Sequence, residues 1–244
     1  MRNLDIAIVD YGMGNLRSVY QAVHHVAGTS SVLVTSDPAE IMAASRVIFP
    51  GQGAMPDCMR ELDLRGLRSA ILHAAANKPF FGICIGMQLL LNHSEEGNTA
   101  GLGLIKGTVK RFSTHFSANG EKLKVPHMGW NQVYQTQAYQ NHDIPNHDIP
   151  NHDIQNQVIQ NQAHTIHEKP HALWADIADA TRFYHVHSYY ADPQDSALIA
   201  GETEYPQRFC SALAVNNIFA TQFHVEKSAQ AGLQLLENFV YWKP

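Results

Sequence analysis

Cysteine is scarce in this chain, with three in 244 residues, Cys58, Cys84 and Cys210. An odd number at wide spacings cannot form the disulfide framework of a small secreted domain and suits a reducing compartment, so a cytoplasmic protein is expected. Long apolar runs are missing too. No stretch approaches the ~20 residues needed to cross a bilayer, and Met1-Arg2-Asn3-Leu4-Asp5 lacks the extended apolar core of a signal peptide, which excludes a membrane role. Charge is sparse, at 16% of residues, and the formal net charge of −5 is spread along the chain. No basic face for nucleic acid results.

What is present is enough apolar material, 45% of residues, to build a sizeable core. Leu4 to Val9, Ser31 to Thr35, Arg46 to Phe49 and Pro79 to Ile83 are short apolar runs bounded by Gly, Pro, Asp or Ser, and read as strands. Leu16, Val19, Tyr20, Val23 and Val26 recur at helical spacing, with Gly28 as a stop. Leu62, Leu67, Ile71 and Leu72 mark another helix. Alternation of strand and helix predicts an α/β fold, a mostly parallel central sheet flanked by helices, with ligands bound beyond the carboxyl ends of the strands. From about Lys122 strand-like runs follow one another, at Lys122 to Pro126, Arg182 to Tyr190, Leu198 to Thr203 and Cys210 to Phe223, and predict an antiparallel extension. A closing helix carries Leu233, Leu236, Phe239 and Val240, with Ser228 as its cap.

Cys84 ends the apolar run Pro79-Phe80-Phe81-Gly82-Ile83-Cys84, and a helical pattern resumes at Ile85-Gly86-Met87-Gln88. A thiol at a strand-to-helix turn faces substrate at the sheet edge, and the unpaired N–H groups of the new helix favour thiolate. Gly82 and Gly86 permit a strained backbone and close ligand approach. The competing reading is a buried structural cysteine. A thiol nucleophile needs a base, and Phe223-His224-Val225-Glu226-Lys227-Ser228 offers one. On extended chain His224 and Glu226 face the same side, so the carboxylate orients the imidazole while its other nitrogen faces the sulfur. Gln88, one turn beyond Cys84, shares its face. Gly12-Met13-Gly14 lacks the third glycine of a dinucleotide fingerprint, because Arg17 stands there, and no cofactor is expected.

The Cys84 elbow, Pro50-Gly51-Gln52-Gly53 and His224-Val225-Glu226-Lys227-Ser228 together resemble class I triad glutamine amidotransferases of flavodoxin-like fold. Asp10-Tyr11-Gly12-Met13-Gly14-Asn15, Val125-Pro126-His127-Met128-Gly129-Trp130-Asn131 and Phe183-Tyr184-His185-Val186-His187-Ser188-Tyr189-Tyr190 are similar to the glutaminase subunits of imidazole glycerol phosphate synthase. The resemblance implies a Cys84, His224, Glu226 triad and oxyanion donors at Gly53 and Ile85. It implies substrate contacts at Gly51, Gln52, Gln88, His187, Ser188 and Tyr189. It also implies a heterodimer with a (β/α)8-barrel synthase subunit, docked near Gly14, Asn15, Met128 and Trp130, which receives ammonia through a channel. Gln52 and Val225 depart from the family pattern, where a small aliphatic residue and a proline are usual. Alternatives are a paralogue serving surface-sugar amidotransfer, a stand-alone cysteine hydrolase, and a binding subunit that keeps only the fold.

One glutamine amidotransferase domain over 1–244 is expected, carrying an insert over 135–170 with a five-residue Asn-His-Asp-Ile-Pro period. One aliphatic residue per five buries too little for a solenoid, so the insert is expected on the surface. His142, His147 and His152 share neither a helix face nor a strand face, and no metal site is expected from them.

Overall fold

The computed structural model describes residues 4–113, 123–136 and 170–244. Ile6–Val9 (β1), Val32–Thr35 (β2), Arg46–Gly51 (β3), Phe80–Cys84 (β4) and Ile218–Thr221 (β13) pair in parallel in the order β2-β1-β3-β4-β13. Every residue of β1, β4 and β13 is buried, as expected of strands covered on both faces and therefore apolar throughout. Leu16–Val26 (α1) crosses from β1 to β2, and Pro38–Ala43 (α2) from β2 to β3. Met55–Leu64 (α3) and Arg68–Asn77 (α4) connect β3 to β4. α1 packs on the final helix, Ala229–Tyr241 (α6), and α2 on α4. Right-handed crossovers in opposite directions place α1 and α2 on opposite faces. The carboxyl ends of β3 and β4 open at one edge, where ligands of such sheets bind.

Beyond β4 the chain forms Ile85–Gln88 (α5), then Leu91–Ser94 (β5), Thr99–Ala100 (β6) and Ile105–Arg111 (β7). His127–Gln135 (β8), Thr181–His187 (β9), Tyr189–Pro193 (β10), Ile199–Glu204 (β11) and Arg208–Val215 (β12) complete the antiparallel extension. β12 runs against β13, followed outward by β10 and β7, while β11, β8 and β9 branch from β12. The parallel sheet flanked by helices, with its antiparallel extension, is the expected architecture.

Several boundaries differ from expectation. The single helix anticipated across Leu62 and Leu72 is two helices, because Gly66 takes φ +65° between them. Cys210 to Phe223 is a hairpin, broken at Asn216 with φ +52°. The run from Arg182 to Tyr190 divides at Ser188 into β9 and β10. No strand occupies residues 123–126; Pro126 has no N–H for a ladder, and pairing starts at His127. Gln135 is paired with Gly201, and the Thr136 N–H donates to the Ala200 carbonyl, so residues 135 and 136 are bonded to β11. Residues 137–169, with His142, His147 and His152, lie outside the described residues.

Candidate active site

Cys84 holds φ 56° and ψ −109° at the end of β4, a conformation L residues rarely adopt and that costs on the order of 1–3 kcal/mol. The strand is paired on both sides, to β3 and β13, which leaves the strain nowhere to relax. The flanking glycines serve a different purpose from the one expected, since neither has positive φ. A Cβ on Gly86 would lie 1.8 Å from the Phe49 carbonyl oxygen, and one on Gly82 would lie 3.0 Å from both Ala220 Cβ and the Gly86 oxygen. They let the elbow press onto β3 and β13, and the cysteine itself carries the strain. α5 is a single turn rather than a longer helix, so its dipole is small and a partner must stabilise charge on the sulfur.

That partner is His224. Its Nδ1 lies 2.9 Å from Glu226 Oε1, both side chains are fully buried, and the ring and the Cys84 sulfur line one cavity, close enough to interact electrostatically. The contact with Glu226 is made by a 3-10 turn at Val225–Lys227 rather than by strand alternation. The loop is fastened to β9: the His224 N–H donates to the Tyr184 carbonyl at 2.9 Å, Ser228 Oγ donates to the His224 carbonyl at 2.6 Å, and the Tyr184 N–H donates to Ser228 Oγ at 3.0 Å. Ser228 therefore ties His224 in place and does not cap α6 with its side chain.

Burial opposes charge on His224, yet the Cys84 sulfur and then the Glu226 carboxylate outweigh it and raise its pKa to about 10. A histidine pKa raised above its unfolded value contributes stability that is complete below pH ~6.5 and is lost as pH climbs through the folded value. Glu226→Gln removes one supporting charge. Loss of the His224 proton, followed by NMR, is expected to move down by at least about one pH unit; an unmoved midpoint would show that Glu226 does not support the imidazolium.

Gln52, Gly53, Cys84, Ile85, Gln88, Glu96, Pro126, Val186, His187, Ser188, Tyr189, His224 and Lys227 line one cavity of about 360 Å³. Of the residues singled out for this site from sequence, Glu226 is outside the lining and reaches it only through His224, and Gly51 stands apart. It does not line the cavity, and a Cβ there would lie 2.2 Å from the Tyr11 hydroxyl, so its role is close packing beneath the loop. Gly53 takes φ +99°. Gln88 donates both amide hydrogens, to the Tyr189 carbonyl at 3.1 Å and to Gln222 Oε1 at 3.0 Å, while its own Oε1 is buried without a partner. Glu96 and Gln222 were missed in the sequence. Glu96 gave no signal, sitting in a polar stretch; Gln222 lies two residues before His224 and was open to an alternation argument. Met128 and Trp130 project from β8 outside the cavity, 63% and 50% exposed. Gly14, at φ +131°, and Asn15 precede α1, where a Cβ on Gly14 would lie 3.7 Å from Gly51 Cα.

A buried thiol, imidazole and carboxylate at the carboxyl edge of a doubly wound sheet match a class of enzymes that split amides through a thioester. The family model for class-I glutamine amidotransferases matches residues 7–242, and the chain belongs to that family. Within it, the chain belongs with the imidazole glycerol phosphate synthase subunits HisH. The protein of that name from Aromatoleum aromaticum is 54% identical over 242 residues, 98% of this chain and 99% of that one. The one from Dechloromonas aromatica is 54% identical over 241 residues, covering 98% and 97%. The fold is shared with a glutamine amidotransferase from Thermotoga maritima (TM-score 0.55, 13% identity, covering 95% of this chain and 80% of that one) and with PurLQS from the same organism (TM-score 0.54, 16% identity, 97% of each). Among the described residues no helix is long and apolar enough to cross a membrane.

Proposed function

We propose that this chain hydrolyses glutamine and passes the ammonia to a (β/α)8-barrel synthase partner, which forms imidazole glycerol phosphate and aminoimidazole carboxamide ribotide in histidine biosynthesis. The observation that carries the reading is the buried His224, held between the sulfur of Cys84 and the carboxylate of Glu226. Cys84 attacks the side-chain amide carbon, and the developing oxyanion takes N–H donors from Ile85 and Gly53. His224 passes its proton to the leaving nitrogen, ammonia departs, and a thioester remains. Water, deprotonated by His224, then attacks the thioester to give glutamate and restore the thiol. Glu226 orients the imidazole throughout. The backbone at His187, Ser188 and Tyr189 receives the α-carboxylate, Gln52 borders the same pocket, and the Gln88 Oε1 and Glu96 carboxylate receive the α-ammonium.

The names of the curated relatives favour the histidine-pathway client over a sugar-modifying one. The partner docks on the face marked by Gly14, Asn15, Met128 and Trp130. Two large apolar side chains exposed two apart on one strand suit a hot spot better than a solvated surface. The chain acts as one domain. Glutamate formation by the purified chain tests this reading: it is expected to rise at least about tenfold when the barrel subunit carrying its nucleotide substrate is added. Trp130→Ala should raise the partner concentration needed without lowering the plateau. A rate indifferent to the partner would reject the coupling.

A further inference from the structure

A run of hydrogen bonds leads from the partly exposed Asn131 on β8 inward to the nucleophile, and the hydrogens along it are fixed by chemistry. Asn131 Oδ1 accepts from the Gln132 N–H at 2.8 Å, and its Nδ2 donates to the Glu204 carbonyl at 3.0 Å, which sets the orientation of the amide. Nδ2 also lies 3.2 Å from His127 Nε2, so that nitrogen is a bare acceptor and the ring proton sits on Nδ1. His127 Nδ1 is 3.3 Å from His187 Nε2, and His185 Nδ1 is 3.2 Å from the same nitrogen, so two ring donors converge on it. His187 Nδ1 is 2.7 Å from the Tyr189 carbonyl, which can only accept, so His187 carries its proton on Nδ1 and is bare at Nε2. The two tautomers, fixed from opposite ends, are complementary where they meet. The second lone pair of the Tyr189 carbonyl takes Gln88, Gln88 donates on to Gln222 Oε1, and Gln222 Nε2 lies 3.7 Å from Cys84 Sγ.

Two other uses of these histidines fail on the same assignments. Donor atoms of His127, His185 and His187 lie within 4.8 Å of one another, a spacing open to a metal ion. A metal bound at His127 Nδ1 would need a lone pair where Asn131 requires a proton. A proton relay fails as well, because donors converge from both sides on the Tyr189 carbonyl and the direction of the chain reverses there. What remains is geometry.

We propose that His127 and His187 are positioning residues for glutamine hydrolysis: as a pair of fixed tautomers they hold the Tyr189 carbonyl, and through it the Gln88 amide and the Gln222 contact to Cys84. This rests on the glutaminase reading above. Gln88 lines the cavity, and its amide is fixed there only while both its hydrogens are engaged. Loosening the carbonyl should therefore raise the glutamine KM more than it lowers kcat.

The test compares His187→Leu with His187→Asn in the reconstituted complex. Asparagine places an N–H near the position of Nδ1 and leucine does not. His187→Leu is expected to raise the glutamine KM at least about tenfold with a smaller change in kcat, and His187→Asn to recover most of that loss. If His187→Leu does not fold, His187→Phe, which keeps a ring but removes the donor to the Tyr189 carbonyl, should raise KM in the same sense, and His127→Phe, which leaves His185 Nδ1 on His187 Nε2, should raise it less. A wild-type complex that forms no glutamate from glutamine would overturn the glutaminase reading. Wild-type turnover with KM unchanged in the variants, or with no recovery in His187→Asn, would overturn the positioning role alone. So would stoichiometric zinc bound by the wild type and lost in His185→Phe.

Discussion

Replacing Cys84 by alanine is expected to abolish glutamine-dependent synthesis in the complex, by at least about 10⁴-fold, while synthesis from added ammonium salt continues. The size of the effect follows from the absence of a substitute. Cys58 is buried and its thiol is pushed up to about 11, chiefly by that burial. Cys210 is buried and its thiol is likewise held well above its ordinary value, first by burial and then by Glu202. Neither supplies thiolate near neutral pH, and neither lines the cavity. His224, without the sulfur, keeps Glu226 but has no nucleophile to activate. The ammonia-dependent reaction uses none of these groups and reports whether the variant still folds and docks. Glutamate formation and product synthesis should be followed in parallel. Undiminished glutamine turnover by Cys84→Ala would remove Cys84 from the reaction, whereas loss of both activities would indicate damage to the assembly.

The parallel half of the fold was legible because its signals are local. Ile6–Val9 and Phe80–Cys84 are unbroken apolar runs that only a sheet covered on both faces can bury, and the thiol stands where such a strand must end. What escaped depends on contacts far apart in sequence or on backbone detail. The demand for glycine at residue 86 comes from the Phe49 carbonyl on another strand. The approach of Glu226 to His224 looked like alternation along a strand, yet a short helical turn makes it, because the loop is tied to Tyr184 of β9 through Ser228. Glu96 reaches the cavity from a polar turn after β5. Gln222 and Gln88 meet across 134 positions of chain. His127, His185 and His187 appear in the sequence as parts of two separate motifs, and only the pairing of β8 with β9 makes them a cluster.

Acid should destabilise this protein above the carboxylate range, and the buried histidines set the sign. Burial lowers the pKa of His127 and His171 to about 4, and burial together with the neighbouring His127 lowers that of His187 to about 3 despite its bond to the Tyr189 carbonyl. His185 is held well below its ordinary value, first by burial and then by His187, His127 and His224. The unfolded chain binds protons at these rings from pH ~6.5 downward while the folded chain refuses them until about pH 4, so stability falls with pH across that window. Several such groups together should cost several kcal/mol. The thermal unfolding midpoint, measured at intervals from pH 7 to 4, is expected to drop steeply below 6.5. His185→Phe should flatten the slope, since the ring at 185 packs among Phe209 and Phe223 and its Nε2 is buried without a partner. A midpoint constant down to pH 4.5 would contradict the burial of neutral imidazoles. His224 acts in the opposite direction, contributing fully below pH ~6.5 and losing its contribution as pH rises toward about 10. Neutral rings that resist protonation and one charged ring that resists its loss together place the stability maximum near neutral pH, where the imidazolium that the nucleophile requires is already in place.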